Sequence, residues 1–399
     1  MTLLSIPDAQ ARLFALGHPL PVERVSLAAA IGRWAAEDVA ARRTQPAATL
    51  SAMDGYAIRF ADLPGPWRLV GESAAGRPFA GVVGPGECAR IFTGAGLPQG
   101  ADTVMVQEEV ARDGDRVTLT GEGPPAPARN TRRRGLDFFE GDTLISRGER
   151  LTAARLALAA TGGHGTLPVG RRVRVALAAT GDELVPPGGP IDGLSLPESN
   201  TTMLRALLAD LPVDVVDLGI LPDRLETLRD AFAGVAGTAD VLVTTGGASV
   251  GDHDLVRPAI EAAGGRLDFW RIALRPGKPM MAGRLGPESG GATVVGLPGN
   301  PVSVFVTTLL FLRPLIAHRS GAADPSPRTT RATLGEPLPA NGGRQDYIRA
   351  QLRDGAAFST GLQDSSMLRA LAQADCLIVR PPDAAAARAG EAADVIMLA

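Results

Sequence analysis

The sequence predicts a multidomain protein in which a central α/β domain with a mostly parallel sheet is combined with separate β-rich regions. Three observations carry this prediction. Strand-like and helix-like segments alternate between residues 173 and 316, which is typical of a parallel sheet with right-handed crossovers. Residues 41–141 are rich in Gly and Pro and contain short alternating runs, which favour a small β domain. Residues 328–399 again contain short strand-like runs.

The first half of the chain contains one early helix and several short strands. A helix is predicted over residues 5–16, because Pro7 falls in its first turn and Leu13 and Leu16 lie on one face. Thr103–Val106 and Arg116–Leu119 are predicted as strands of the small β-rich region.

The second half carries the alternating pattern. Strands are predicted at residues 173–178, 213–218, 241–244 and 293–295, and helices near 201–209, from Leu225 onward and over 302–312. The helix over 302–312 is apolar and has Pro301 in its first turn, so we expect it to be buried. A linker is predicted at 321–327, and residues 376–379 are predicted as a strand of the last region.

Composition excludes several classes of protein. The chain has 399 residues, which suggests two to four domains. With 40 basic and 43 acidic residues, its net charge of −3 favours neither nucleic acid nor an anionic membrane as a partner. Two cysteines provide no disulfide framework, and the amino terminus lacks the pattern of a signal peptide, so we expect a cytoplasmic protein. The longest apolar segment, which ends before Arg313, is too short to span a bilayer.

The loop at residues 244–254 is the first candidate binding site. It follows a Val-rich strand, and its three glycines allow the backbone to approach a ligand closely. Backbone N–H groups there could bind phosphate, while Asp252 and Asp254 could hold a divalent cation. A tight turn with two solvated acids explains this loop alone equally well.

Three further loops combine glycine or proline with hydroxyl, carboxylate or cationic side chains. They occupy residues 179–184, 274–279 and 296–303. In an open α/β sheet such loops share one edge, where ligands bind. The sequence therefore predicts one site for an anionic ligand at this edge.

At these residues the chain resembles the MoeA-type molybdopterin molybdotransferases, which are related to the E domain of gephyrin. The motifs that carry the resemblance follow the family's order, at residues 51–57, 90–95, 180–184, 199–200, 246–254, 276–279 and 296–303. The resemblance implies insertion of molybdate into adenylylated molybdopterin with release of AMP, assisted by Mg²⁺. It leaves open whether molybdate or tungstate is the physiological oxyanion.

The resemblance also implies a four-part architecture. It assigns residues 1–20 and 170–320 to an α/β molybdopterin-binding domain of the MoaB or Mog type, residues 21–40 and 142–169 to a linking domain, 41–141 to the small β-rich domain, and 321–399 to the C-terminal β-rich domain. It implies a homodimer with composite active sites. Other molybdenum-cofactor synthesis proteins or apo-molybdoenzymes are candidate partners, and nucleic acid and membranes are not.

The family's site residues carry over to this chain by motif. The implied catalytic residues are Asp54, Glu183, Asp223 and Asp254, of which Asp54, Glu183 and Asp254 would hold the metal. The implied substrate-binding residues are Thr93, Asp137, Thr180, Gly246, Gly247, Ser249, Gly251, Arg275, Lys278, Pro298, Pro301 and Ser303. Leu136 stands where relatives have a carboxylate, which makes the role of Asp137 and full activity open questions.

Several of these residues have structural alternatives. Asp223 precedes a predicted helix and could be its N-cap. Asp54-Gly55 is a turn dipeptide. Residues 132–134 are three arginines that could clamp phosphate or form a solvated loop. His253 lies between acids, but the four histidines show no paired spacing typical of a zinc site.

Three other functions fit parts of the sequence less well than the transferase does. Residues 247–251 match the GxSxG pattern of serine hydrolases, but only His318 lies far enough downstream, at the end of an apolar helix. A non-catalytic scaffold of the same fold is disfavoured by the retained acids and Lys278. A molybdopterin adenylyltransferase is a single α/β domain, whereas this chain has about 170 residues before its first parallel strand.

Overall fold

The computed structural model describes residues 3–247, 255–287 and 290–398. The chain forms two compact units. The larger contains Met1–Glu37, Arg147–Leu151 and Pro168–Ala399, and the smaller contains Asp38–Ser146 and Thr152–Leu167. The predicted bounds of four domains are finer than this division and stay a prediction.

The helices are α1 (Ile6–Leu16), α2 (Ala153–Thr161), α3 (Asn200–Leu208), α4 (Leu225–Val235), α5 (Val256–Ala262), α6 (Pro301–Thr307), α7 (Arg313–Arg319) and α8 (Leu368–Ala372). The predicted helices near residues 5–16, 201–209, from Leu225 onward and over 302–312 are present, and the structure adds four helices that were not predicted, α2, α5, α7 and α8. Helix α1 begins where the hydroxyl of Ser5 accepts a hydrogen bond from the Asp8 backbone N–H at 3.2 Å, with proline at the start of the first turn. A π-helical segment, Thr308–Leu312, joins α6 and α7.

The smaller unit contains a six-stranded sheet in the order β7-β4-β6-β5-β9-β8. The strands of the first 170 residues are β1 (Val22–Ser26), β2 (Val39–Ala40), β3 (Leu50–Ser51), β4 (Gly55–Ile58), β5 (Trp67–Ser73), β6 (Glu87–Ile91), β7 (Thr103–Val106), β8 (Val110–Asp113), β9 (Arg116–Leu119), β10 (Thr131–Arg132), β11 (Thr143–Ile145) and β12 (Thr166–Gly170). Only β5 and β6 pair in parallel within this sheet. Its core includes Tyr56, Trp67 and Met105.

The larger unit is built on a second six-stranded sheet, in the order β16-β13-β17-β21-β20-β18. The remaining strands of the chain are β13 (Val173–Thr180), β14 (Leu184–Val185), β15 (Leu196–Pro197), β16 (Val213–Leu221), β17 (Val241–Thr245), β18 (Gly265–Arg271), β19 (Leu274–Arg275), β20 (Pro279–Leu285), β21 (Ala292–Leu297), β22 (Thr330–Leu334), β23 (Gln345–Arg353), β24 (Ala356–Ser359), β25 (Cys376–Arg380) and β26 (Ala392–Met397). The first four strands in this order run parallel to one another. Strand β20 pairs antiparallel with β21, and β18 pairs antiparallel with β20.

Both faces of this sheet are covered. One apolar cluster packs α1, α3 and the helix from Pro301 to Arg319 against one face, and a second packs α4 and α5 against the other. Strands β17 and β21 are buried at every residue, as expected for parallel strands covered on both sides. The expectation that the apolar segment ending before Arg313 is too short to span a bilayer is wrong, because the helix continues past Arg313 and Pro301–Arg319 has the length and apolar composition of a membrane span. However, 72% of its apolar stretch is buried inside the protein. We therefore interpret it as a core helix.

The carboxyl-terminal region is a closed β-barrel. Its strands follow the order β23-β24-β22-β26-β25, and β25 pairs back with β23. Strand β19, which precedes the barrel in the chain, adds to it through a parallel pairing of Leu274 with Gln345 and Arg275 with Asp346. The predicted fold class, an α/β domain with a mostly parallel sheet plus separate β-rich regions, is confirmed.

Candidate functional site

A cavity of about 900 Å³ opens at the carboxyl ends of the parallel strands in the larger unit. The residues after β13, β17 and β21 line it, together with the loop between β19 and β20. Parallel strands end at one edge of their sheet, which is why loops distant in sequence meet there. The cavity brings together these predicted site residues: Thr180, Glu183, Gly246, Gly247, Arg275, Lys278, Pro298, Pro301 and Ser303.

The floor of the cavity contains buried hydroxyl groups. Thr245 is 2% exposed, and its Oγ1 has no hydrogen-bond partner within the described parts of the chain. The Thr180 hydroxyl donates to the Thr245 carbonyl oxygen at 3.4 Å. Gly246 has φ +88°, and a Cβ there would lie 2.6 Å from the Thr180 carbonyl oxygen, so only glycine fits. Thr245 therefore lines the cavity with a hydroxyl that no described group satisfies.

One cation, Arg275, ends β19 and another, Lys278, lies on the loop between β19 and β20, but only Arg275 is neutralised by a described carboxylate. The Arg275 guanidinium forms an ion pair with Asp346 of the barrel, whose carboxylate is 7% exposed. Lys278 is exposed at the cavity and forms no ion pair with any described residue. Gly277 has φ +103°, and a Cβ there would lie 2.7 Å from a Thr307 methyl group, so the loop packs closely on helix α6.

Three acids lie at the edge of the sheet beside the cavity. Glu183 lines the cavity itself, and the Asp223 backbone N–H donates to the Asp182 carboxylate at 3.0 Å. Burial raises the pKa of Asp223, and the nearby charges of Asp182 and Glu183 raise it further. The alternative of Asp223 as an N-cap is wrong, because Arg224 is the N-cap of α4 and no side chain caps that helix.

The barrel supplies a wall of the cavity that the sequence did not reveal. Gln363, Asp364, Ser365 and Ser366 line it. Ser365 ties this wall to α6, since its hydroxyl oxygen accepts from Asn300 Nδ2 at 2.9 Å and its carbonyl oxygen accepts from the Val302 N–H at 3.2 Å. This short polar segment matches no motif, so only the fold identifies it.

A buried arginine organises that wall. Arg349 is 1% exposed, and its guanidinium donates to the carbonyl oxygens of Leu362, Asp364 and Met367 and to Gln363 Oε1. Its backbone N–H also donates to Gln363 Oε1, at 3.0 Å. Several bonds from one rigid guanidinium fix the path of the segment.

The smaller unit carries the other predicted acids. Asp54 lies between β3 and β4, and its Oδ1 accepts from the Thr93 N–H at 2.7 Å and from the Thr93 hydroxyl at 2.8 Å. These bonds hold the pKa of Asp54 below its usual value, and the positive charge of Arg90 lowers it slightly more. Asp54 therefore links the turn between β3 and β4 to the loop after β6, so it does more than occupy a turn position.

The remaining predicted residues fall into two groups. Asp137 is in the smaller unit, where it is exposed next to the exposed Leu136. Ser249, Gly251 and Asp254 lie outside the described residues, as does His253. Within the described ranges, three or more His, Cys, Asp or Glu side chains nowhere come close enough together to hold a metal ion.

The fold and the cavity define a multidomain protein whose α/β domain carries a polar cavity at the strand ends. Comparisons with known proteins agree. Residues 4–163 match the MoeA N-terminal region (domain I and II), 176–318 match a probable molybdopterin binding domain, and 331–398 match the MoeA C-terminal region (domain IV).

Similar proteins cover nearly the whole chain. The molybdopterin molybdenumtransferase of Haemophilus influenzae is 35% identical, over 98% of this chain and 97% of its own. Molybdopterin molybdenumtransferase 2 of Mycobacterium tuberculosis is 35% identical over 88% and 89%. The crystal structure of the molybdopterin biosynthesis MoeA protein from Pyrococcus horikoshii has a TM-score of 0.83 at 25% identity, over 99% and 100%. The chain belongs to the molybdopterin molybdenumtransferases, a family of transferases.

Proposed function

We propose that this chain inserts molybdenum from molybdate into adenylylated molybdopterin and releases AMP. The observation that carries the proposal is the convergence of the predicted loops on one cavity of about 900 Å³. That volume suits a ligand of nucleotide size. The family relation supports the same reaction.

The chemistry of the cavity suits anionic substrates. The Thr245 hydroxyl has no protein partner among the described residues, and the Ser303 side chain also lines the cavity. Lys278 supplies a cation that no described carboxylate neutralises. Donors and cations held in place before the ligand arrives stabilise developing negative charge best, because they need not reorganise. In this proposal Lys278 acts on the oxyanion, and Arg275 acts mainly by fixing the loop.

The carboxylates suit Mg²⁺. Asp182, Glu183 and Asp223 stand close enough together that like charge raises the pKa of Asp223, a repulsion that a cation would relieve. Mg²⁺ typically uses one or two carboxylates together with substrate phosphates and water, so a larger protein cage is unnecessary. Glu183 would be its ligand in the cavity, with Asp254 and Asp54 as the other proposed ligands. Bound there, Mg²⁺ would neutralise phosphate charge.

Two subunits would complete each site. Asp54, Thr93 and Asp137 belong to the smaller unit, whereas Glu183 and Lys278 belong to the larger. We propose a homodimer in which the smaller unit of one subunit serves the cavity of the other. The cytoplasm is the proposed location, and other molybdenum-cofactor synthesis proteins or apo-molybdoenzymes are the proposed partners.

The test is a direct assay of AMP release. The purified protein is mixed with adenylylated molybdopterin, Mg²⁺ and either molybdate or tungstate. Oxyanion-dependent AMP release is expected, and the oxyanion with the higher kcat/KM identifies the preferred substrate. Absence of AMP release would contradict the proposal. Formation of adenylylated molybdopterin from ATP and molybdopterin would instead identify an adenylyltransferase, and inertness in both assays would favour a scaffold.

A further inference from the structure

The chain contains one lysine. Of its 40 lysine and arginine residues, only Lys278 is a lysine. Arginine keeps its proton in proteins, whereas a lysine amine can lose its proton and is the usual target of acylation. Every other basic position of this chain therefore carries arginine, whose positive charge is permanent. The one side-chain amine that can react as a nucleophile lies at the cavity.

The surroundings of Lys278 leave this amine accessible. It is exposed, it lines the cavity, and no described carboxylate pairs with it. Its neighbour Arg275 forms an ion pair with Asp346, so Arg275 competes less with Lys278 for an anion in the cavity. Gly277 packs against Thr307 of α6, which limits how far the loop can move away.

The same cavity is lined by polar side chains that can donate hydrogen bonds. Thr245 has a buried hydroxyl without a partner among the described residues, and Asn300 and Ser303, at the start of α6, also line the cavity. An acyl phosphate carries its electrophilic carbonyl carbon one oxygen away from a dianionic phosphate. A phosphate bound to these donors would hold that carbon beside Lys278, which raises the rate of attack through proximity.

We propose that Lys278 is a modification site for small acyl phosphates, which acylate it selectively and switch off the cavity. The Lys278 Nζ attacks the acyl carbon, a C–N bond forms, and the C–O bond to phosphate breaks. Inorganic phosphate leaves with the bonding electrons, and the amine releases a proton to water. The product is a neutral amide, so the cavity loses the positive charge of Lys278.

The experiment compares two lysines in one protein. Arg328 is an exposed arginine just before β22, outside the cavity, so the Arg328→Lys variant carries a second lysine as an internal reference. The full-length variant is incubated with acetyl phosphate, and peptide mass spectrometry follows acetylation of Lys278, of the introduced lysine and of the α-amine. Lys278 is expected to react at least about tenfold faster than the reference lysine.

Three controls separate selective binding from general reactivity. An uncharged acetyl ester should label both lysines at similar rates, inorganic phosphate should slow only Lys278, and Thr245→Val should reduce the preference for Lys278. Equal rates of the two lysines with acetyl phosphate would overturn the proposal, as would an equal preference with the uncharged ester.

The loss of activity rests on the proposed function, and a separate measurement tests it. Acetylated protein is expected to lose oxyanion-dependent AMP release in proportion to the occupancy of Lys278. Selective acetylation with full AMP release would keep the modification site and refute the proposed role of Lys278 in the transfer reaction. The two proposals therefore fail in different ways.

Discussion

Lys278 and Arg275 show how two cations on one loop acquire different roles. The guanidinium of Arg275 is committed to Asp346, while Lys278 has no described acidic partner. For a dianion in the cavity, the ammonium group of Lys278 is a positive charge that no described carboxylate has already paired, whereas the charge of Arg275 is paired with Asp346. Residue identity alone would have assigned both cations to the ligand.

We expect Lys278→Gln to raise the molybdate concentration needed for half-maximal rate about tenfold or more, because a hydrogen bond to a charged group is lost. The apparent affinity for adenylylated molybdopterin should change much less. Titration of each substrate at saturation of the other separates the two effects. Arg328→Gln, which removes an exposed cation outside the cavity, should change neither. Equal loss of affinity for both substrates would place Lys278 on the pterin phosphate.

Asp54→Ala and Glu183→Ala should each reduce AMP release about a hundredfold or more, since each removes a charged group proposed to act on the substrate. The free energy of unfolding should change by less than about 1 kcal/mol for Glu183→Ala, because Glu183 is a polar residue on a loop. It should fall by more for Asp54→Ala, because two hydrogen bonds from Thr93 are lost. The rate of AMP release and denaturant unfolding curves are the measurements. Activity within a few fold of the parent protein would remove the residue from the site.

Asp223 should destabilise the protein at neutral pH. Its pKa is raised in the folded state above the ordinary value of an aspartate, so the folded state binds the proton more readily than the unfolded chain does. The destabilisation is fully present above the raised pKa and disappears as pH falls through it.

Asp223→Asn should therefore increase the free energy of unfolding by about 0.5 kcal/mol at about pH 7, a size typical of partly exposed charges. The gain should shrink toward zero by about pH 4. Urea unfolding at several pH values measures it. Asp230→Asn, which changes an exposed carboxylate on α4, serves as the control and should show no such pH-dependent gain. A loss of stability at neutral pH would show that the carboxylate is not under repulsion.

Motifs identified the cavity residues that lie on strand-end loops, such as Glu183 and Lys278, because strand ends meet at a predictable edge. They could not identify Asp346 or Arg349. The partner of Asp346 lies 71 residues away in sequence, and Arg349 acts through carbonyl groups that any residue carries. Side-chain partners of this kind depend on tertiary packing, which one sequence does not encode in a local pattern.

At the scale of secondary-structure elements, Gly55 shows why a short strand needs a particular residue. A Cβ at position 55 would lie 1.9 Å from the Met105 carbonyl oxygen on the neighbouring strand β7. Gly55→Ala should therefore lower the free energy of unfolding by about 2 kcal/mol, because β4 must shift to relieve the overlap.

The matched control is Gly165→Ala, in the same unit, where a Cβ would meet open space. It should change the free energy of unfolding by less than about 0.5 kcal/mol. Chemical denaturation of both variants provides the comparison. Similar stabilities for the two would mean that the strand accommodates a methyl group without strain.

Strongly patterned elements were predicted well, and charged edge elements were not. Thr103–Val106 and Arg116–Leu119 are strands with the predicted bounds. Strand β18 was missed because Arg266, Asp268 and Arg271 are exposed along it and interrupt any apolar run. The barrel was predicted only as short strands, because its closure depends on the pairing of β23 with β25.

At the scale of the whole molecule, the proposed composite site makes a prediction about mixed dimers. Asp54→Ala changes the smaller unit and Glu183→Ala changes the larger one. Refolded together, the two inactive chains should recover part of the AMP release, because one of the two sites in each heterodimer has both residues intact.

A second mixture reverses the expectation. A heterodimer of the parent chain with an Asp54→Ala/Glu183→Ala double variant has no intact composite site, so it should be inactive, whereas a site within one chain would stay active. Differently tagged chains allow each heterodimer to be isolated before the AMP assay. Activity in this heterodimer would contradict a shared site.

The pairing of β19 with β23 has a consequence for the order in which the protein matures during translation. The ribosome completes β21, the last strand of the parallel sheet, before it makes Gln345 and Asp346, which anchor Leu274 and Arg275. Domains generally fold as they emerge, from the amino terminus onward. The nascent chain thus carries a finished sheet while the loop of Lys278 still lacks its anchor. The wall that the barrel contributes to the cavity forms only after the barrel leaves the ribosome. A chain that stalls within the last strands therefore has a folded parallel sheet but an incomplete cavity.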